Sequence, residues 1–229
     1  MEDIGMELSG AVAVVTGSNR GLGRELATQL VARGAKVYGA ARRPETVDLP
    51  GVVPLKLDVT DPESVLEAAR VASDATLLIN NAGVSTHTAL VSGDWDNIQL
   101  ELDTHLVGPL RLVRAFAPVI EANGGGGVLN VGSVLSWVHH LEAYAAYSTA
   151  KAAAWAMTNA VRAELAPRGI AVSSLHVGYM DTDMADYVEP DQKTDPAGVA
   201  KQALDGVAAG ADEILADDFT RETRSSIFQ

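Results

Sequence analysis

Short runs of β-branched and apolar residues alternate along this chain with longer stretches in which apolar positions recur every three or four residues. The first kind reads as buried strands and the second as amphipathic helices, the alternation of a parallel sheet covered by helices on both faces. Strands are predicted at Ala11–Thr16, Lys36–Ala41, Val52–Leu57, Thr76–Asn80, Val128–Gly132 and Ile170–Val177, with a short seventh at Glu213–Leu215. Helices are predicted over Leu22–Ala32, Pro62–Ala72, Trp95–Glu121 with bends at Pro109 and Pro118, Tyr144–Ala166, and Pro196–Ala208. Asp61-Pro62 and Asp195-Pro196 mark two of the starts, an N-cap acid followed by proline at the first helical position. The glycine run Gly124–Gly127 is predicted as a loop that ends the long helix. There is no repeat and no linker. At 229 residues, 47% of them apolar, with mean hydropathy +0.10, the chain suits one α/β domain over 1–229, doubly wound in three layers.

A net charge of −13 opposes attraction to nucleic acid or to an anionic membrane surface, which leaves small molecules as the expected partners. No apolar run reaches the length of a membrane span, and Met1-Glu2-Asp3-Ile4 lacks the features of a signal peptide, so a cytoplasmic protein is expected. The absence of cysteine excludes disulfides and thiol catalysis. His139-His140 carries no metal expectation, because adjacent side chains point apart and no carboxylate or cysteine completes a ligand set.

The first predicted strand runs into Thr16-Gly17-Ser18-Asn19-Arg20-Gly21-Leu22-Gly23, and a helix-forming stretch follows at once. In that order the glycines permit a tight turn and close backbone approach, and the helix points free N–H groups at a pyrophosphate. At the end of the second strand an acid would accept from the ribose 2'-hydroxyl of NAD. The chain instead has Arg42 and Arg43, with Arg20 within reach, and guanidinium forks suit a 2'-phosphate. NADP(H) is therefore preferred, with NAD(H) left open.

Ser133 is followed fourteen positions later by Tyr147-Ser148-Thr149-Ala150-Lys151. On a helix, Tyr147 and Lys151 stand one turn apart on one face, where the ammonium favours phenolate and lowers the phenol's pKa. Such a phenol can exchange a proton with an alcohol or ketone oxygen.

Together these residues closely resemble the short-chain dehydrogenase/reductase family of the classical type, over nearly the whole chain. Thr16–Gly23 is similar to its cofactor turn, Asp58-Val59 to its adenine-contacting pair, Asn80-Asn81-Ala82-Gly83 to its fourth-strand motif, and Ser133, Tyr147 and Lys151 to its catalytic residues. The resemblance implies a Rossmann-type fold and an NADP(H)-dependent ketone or aldehyde reductase, with alcohol oxidation as its reverse. It implies that Tyr147 is the general acid/base and Ser133 orients the carbonyl oxygen, while Lys151 lowers the Tyr147 pKa and binds the nicotinamide ribose. It further implies homodimers or homotetramers built through the Ala-rich helix and the one before it, with Trp155 and Met157 as candidate anchors.

Two positions depart from the family pattern. Where the family places a relay asparagine, the chain offers His105, which can donate, accept and titrate in its stead. After the sixth strand, Val177 replaces the usual proline, while Gly178 remains and Thr182 is a candidate nicotinamide contact or a helix cap. The expected pocket residues Leu135, Ser136, Trp137, Tyr144, Tyr179, Met180, Met184 and Tyr187 are mostly apolar or aromatic, which favours a hydrophobic carbonyl or alcohol. Two competing readings stand beside the reductase. One is a catalytically silent NADP(H)-binding regulator or sensor; the other is a dehalogenase on the same fold, opposed by Lys151 and the intact glycine turn.

Overall fold

The computed structural model describes residues 5–139 and 142–227; His140 and Leu141, and with them half of the His139-His140 pair, lie outside the described residues. The strands are β1 (Val12–Thr16), β2 (Lys36–Ala41), β3 (Val52–Lys56), β4 (Leu77–Asn80), β5 (Gly126–Val131), β6 (Ile170–His176) and β7 (Glu213–Leu215). They form one parallel sheet in the order β3-β2-β1-β4-β5-β6-β7. Strand order reverses between β1 and β4, and the carboxyl ends on either side of that point are where open α/β sheets bind ligands.

The sheet separates two cores by simple alternation. Ala13 and Val15 of β1, Leu77 and Ile79 of β4 and Leu129 of β5 face one side, against α1 (Gly21–Ala32) and α6 (Pro196–Ala208). Val14, Leu78 and Val128 face the other, against α2 (Pro62–Val71), α4 (Gly108–Ala122) and α5 (Ala145–Leu165). Because both faces are covered, these strands read as continuous apolar runs. Asp61 and Asp195 cap α2 and α6 as predicted, accepting from Glu63 N–H and from the Ala197 and Gly198 N–H groups.

The single helix predicted at Trp95–Glu121 is two. Helix α3 (Trp95–Leu102) passes through a π turn at Asp103–Val107 before α4 begins. Pro109 has no N–H for the carbonyl of His105 four residues back, and the ladder slips by one residue, with Gly108 N–H donating to Asp103 O. The interruption therefore lies upstream of Pro109, on the segment that carries His105, and α4 continues through Pro118. A further helix, α7 (Asp218–Ile227), has no counterpart in the prediction. Asp217 organises its start, accepting from Thr220 N–H at 2.7 Å and from Gly178 N–H at 2.7 Å, so the helix is tied to the end of β6.

The glycine run is also only half loop, since Gly126 and Gly127 open β5. Gly126 has φ of 150°, and a Cβ there would lie 1.9 Å from the Thr76 carbonyl oxygen. Its own N–H donates to Gly169 O at 3.0 Å, so the backbone is held from both neighbouring strands and has nowhere to move. Gly126→Ala is expected to destabilise the protein by about 3 kcal/mol. Chemical denaturation would show this as a lower midpoint at unchanged slope, and a loss under about 0.5 kcal/mol would contradict it.

Candidate functional site

The turn after β1 is built for close approach. Gly17 and Gly21 have positive φ, and a Cβ on Gly23 would lie 2.2 Å from Gly17 O and 2.5 Å from Asn81 Nδ2. Thr16 Oγ accepts from Asn81 N–H and Ala82 N–H, both at 2.9 Å, while Asn81 Nδ2 donates to Thr16 O at 2.8 Å. Thr16 and Asn81 thus clamp the β1 and β4 loops together, a task the sequence reading did not assign. Ser18 is fully buried with its Oγ unbonded, Leu22 and Gly23 are buried, and Asn19 is half-buried. This backbone cradle at a helix start fits a pyrophosphate.

The three arginines expected at the ribose divide. Arg42 and Arg43 follow β2 with exposed side chains that have no partner among the described residues. Arg20 instead bonds Asp183 at 3.0 Å, tying the turn to the loop after β6. Asp58 Oδ1 accepts from the Thr60 N–H and hydroxyl at 3.0 and 2.7 Å, while Val59 packs in the core. Thr182 lies against the turn, 3.2 Å from where a Gly21 Cβ would stand. It occupies the N-cap position of the short helix Asp183–Ala185 without making a cap bond.

Asn80 turns inward. Its Nδ2 donates to Asn130 Oδ1 at 2.8 Å, and Asn130 donates to Thr158 Oγ at 2.9 Å, a buried chain that joins β4, β5 and α5. Ala82 and Gly83 follow it toward His105, and a Cβ at residue 83 would come within 3.0 Å of His105 Cε1.

Ser133 leaves β5 on a tight turn. Its N–H donates to Ser136 Oγ at 3.3 Å and its own Oγ accepts from Leu135 N–H at 3.1 Å, which leaves its hydroxyl proton to point toward Tyr147. Ser136, expected to line the pocket, closes this turn instead. His176 supports it from β6, with Nδ1 3.1 Å from Ser133 O. Trp137 faces the interior, stacked on His176 at 4.1 Å, and Arg224 of α7 lies over its ring at 5.3 Å. Trp155 also has an internal partner, donating to Glu213 at 2.9 Å.

Tyr147 stands on the first turn of α5, beside Ser133. Burial pushes its phenol well above the ordinary range, the Ser133 hydroxyl beside it pulls down, and the charge of Glu101 raises it further. The expected depression by Lys151 is not found here. Lys151 Nζ lies 5.5 Å from the Tyr147 ring centre and donates to Val131 O at 2.8 Å. Burial lowers the lysine itself to about 8, with Glu101 opposing.

Tyr144 and Tyr187 meet His87 above this centre and Tyr179 packs on Tyr187, with ring separations of 5.2 to 6.5 Å. The loop from Tyr179 to Asp195 that carries two of them is pinned at its base, where Thr194 N–H donates to Tyr179 O at 2.8 Å and Asp181 N–H to Thr194 O at 3.0 Å.

Residues 11–193 match the profile of the family described as short chain dehydrogenase. The chain belongs to that family. This short-chain dehydrogenase is 35% identical over 222 residues to the 3-oxoacyl-[acyl-carrier-protein] reductase FabG of Salmonella typhimurium, covering 91% of this chain and 88% of that protein. It is 34% identical over 186 residues to the NADPH-dependent 1-acyldihydroxyacetone phosphate reductase of Schizosaccharomyces pombe, covering 77% of this chain and 62% of that one. A crystal structure of a short chain dehydrogenase from Burkholderia cenocepacia, in complex with NADP, superposes with a TM-score of 0.91 at 38% identity, covering 96% of this chain and 94% of the other.

Proposed function

We propose that this short-chain dehydrogenase reduces a neutral, hydrophobic ketone or aldehyde with NADPH, and oxidises the corresponding alcohol in reverse. The observation that carries this reading is the juxtaposition of Ser133 and Tyr147 above Lys151, at the carboxyl ends of the strands that also carry the glycine cradle. NADPH, when bound, supplies the hydride.

Each residue then has a task. The turn Gly17–Gly23 holds the pyrophosphate, the Arg42 and Arg43 guanidiniums the 2'-phosphate, and Asp58 the adenine. Thr182 reaches the nicotinamide amide, and Lys151 turns from Val131 O to the nicotinamide ribose. Ser133 donates its hydroxyl proton to the carbonyl oxygen, which makes the carbon more electrophilic and fixes its distance from Tyr147. Tyr147, held protonated at neutral pH, delivers its proton to that oxygen. His105 takes the relay position beneath it.

Charge narrows the substrate. The loop over the mouth carries Asp181, Asp183, Asp186, Glu189, Asp191 and Asp195 against one Lys193, on a chain of net charge −13. A phosphorylated substrate or an acidic carrier would meet like charge there, whereas a neutral aromatic or aliphatic carbonyl meets the tyrosines. The family resemblance supports assembly into homodimers or homotetramers.

Fluorescence titration with NADPH, followed by a panel of neutral ketones and aldehydes, tests the reading. Binding with carbonyl-dependent oxidation, NADPH favoured over NADH, is expected. Binding without oxidation across the panel would indicate the silent regulator, and no binding at all would point to chemistry without a dinucleotide.

A further inference from the structure

The reductase reading leaves one buried acid without a task. Glu101 on α3 is fully buried, a setting in which a carboxylate is costly unless it is held by donors. Its Oε1 accepts from the Thr86 N–H at 2.6 Å and the Thr86 hydroxyl at 2.9 Å, and its Oε2 lies 3.2 Å from His105 Nε2. The same ring nitrogen is 2.8 Å from Val84 O.

We propose that Glu101 is a positioning residue: with Val84 O it fixes His105 as the Nε2–H tautomer and leaves Nδ1 as the proton acceptor of the cavity that His105 shares with Lys151. The proposal rests on the reductase reading. Val84 O bonds Nε2 at 2.8 Å, closer than the Val84 N–H at 3.4 Å, and the Glu101 Oε2 charge lies 3.2 Å away, so that nitrogen carries the proton and the other is left with a lone pair. Among the described residues Nδ1 has no hydrogen-bond partner. The imidazole stands edge-on to the Tyr147 ring, 5.1 Å between centres, and His105, Lys151 and Asn80 line one cavity of about 20 Å³. That volume admits one water. Asn80 Oδ1, buried and otherwise unbonded, is a further partner for it.

In alcohol oxidation Tyr147 takes the substrate's proton. It passes through Lys151 and the water to Nδ1, where it makes an imidazolium whose charge the Glu101 carboxylate offsets, and it is released to bulk water before the next turnover. Reduction runs the same transfers backwards, one proton per turnover. Burial and the neighbouring Lys151 charge both lower the His105 pKa, and Glu101 works against them. Burial pushes Glu101 itself up, but the bonds from His105 and Thr86 outweigh it and the net direction is down, so the carboxylate stays ionised.

His105, Tyr147 and Lys151 are the titratable groups that face Glu101, and its charge raises the pKa of all three. The test is the pH–rate profile of Glu101→Gln in both directions of the reaction. The expected result is a roughly tenfold lower kcat, with both limbs of the profile moved to lower pH. Thr86→Val, which removes one donor, is expected to move them in the same direction by less. In a His105→Asn background Glu101→Gln should change kcat by no more than about twofold. An unmoved profile in both variants, or a full loss that persists without His105, overturns the proposal. Imidazole ¹⁵N NMR of the resting wild-type protein reads the tautomer without turnover, and a proton on Nδ1 overturns it as well. A reductase reading that fails would show instead as no NADPH oxidation by the wild type with any carbonyl, while the NMR result still decides the tautomer.

Discussion

Tyr147→Phe is expected to lower NADPH-dependent carbonyl reduction by at least about 10²-fold while NADPH still binds. The phenylalanine keeps the ring edge that His105 packs against and removes only the hydroxyl, so the change isolates proton transfer. Ser133 cannot substitute. Its hydroxyl can donate a hydrogen bond, but a serine far above neutrality in pKa cannot leave as the alkoxide that full proton transfer requires, and its oxygen is already engaged by Leu135 N–H. Tyr144, three residues earlier, is the other phenol on the helix, yet burial holds it at about 12 and its neighbours are Tyr179, Tyr187 and His87, away from Ser133. The loss corresponds to at least about 2.7 kcal/mol of transition-state stabilisation. Steady-state rates beside a fluorescence titration decide the matter, and residual activity above about one part in ten would sink the assignment.

The direction of the Tyr147 shift adds a pH expectation. A phenol raised by burial is protonated throughout the neutral range, the form needed to reduce a carbonyl. Alcohol oxidation needs the phenolate, so its rate should climb toward alkaline pH while reduction holds level at neutral pH.

The parts of this protein legible in the sequence are those governed by local rules. Strands buried on both faces announce themselves as apolar runs, and acids before Pro62 and Pro196 announce helix starts, so the sheet and its covering helices were readable. Helix α7 was not, because its residues are nearly all polar and Asp217, which caps it, is held by a tertiary bond from Gly178 N–H. Pro109 signalled a bend but not that the ladder would slip into a π turn upstream of it. The site divides along the same line. Glycines and the Tyr147-to-Lys151 spacing carry their geometry locally, whereas the pair that Arg20 makes with Asp183 joins residues 163 positions apart. Glu101 four residues before His105 looks like an ordinary surface acid on a helix. Only packing from the Thr86 loop shows it buried.

Lys151 offers the clearest conflict between site and stability. Lys151→Met is expected to abolish turnover and to raise the melting temperature. The ammonium is buried with one acceptor among the described residues, Val131 O, and burial lowers its pKa to about 8 from the ordinary 10.5. A lysine whose folded-state pKa is depressed costs stability wherever it is charged in both states. The cost is therefore full below about pH 8 and fades as pH rises toward 10.5. The drop from 10.5 to about 8 corresponds to roughly 3 kcal/mol, from which loss of the Val131 bond removes about 1, leaving about 2 kcal/mol in favour of the apolar side chain. For a chain of this size that is roughly 4 to 8 °C. Glu101 sets the limit on the gain, since it loses a countercharge, and Glu101→Gln added to Lys151→Met should recover that part. The check is a pair of thermal melts at pH 7 and above pH 9. The variant's advantage must shrink at the higher pH, and a variant less stable than wild type at pH 7 would mean that Lys151 is held by its surroundings rather than strained by them.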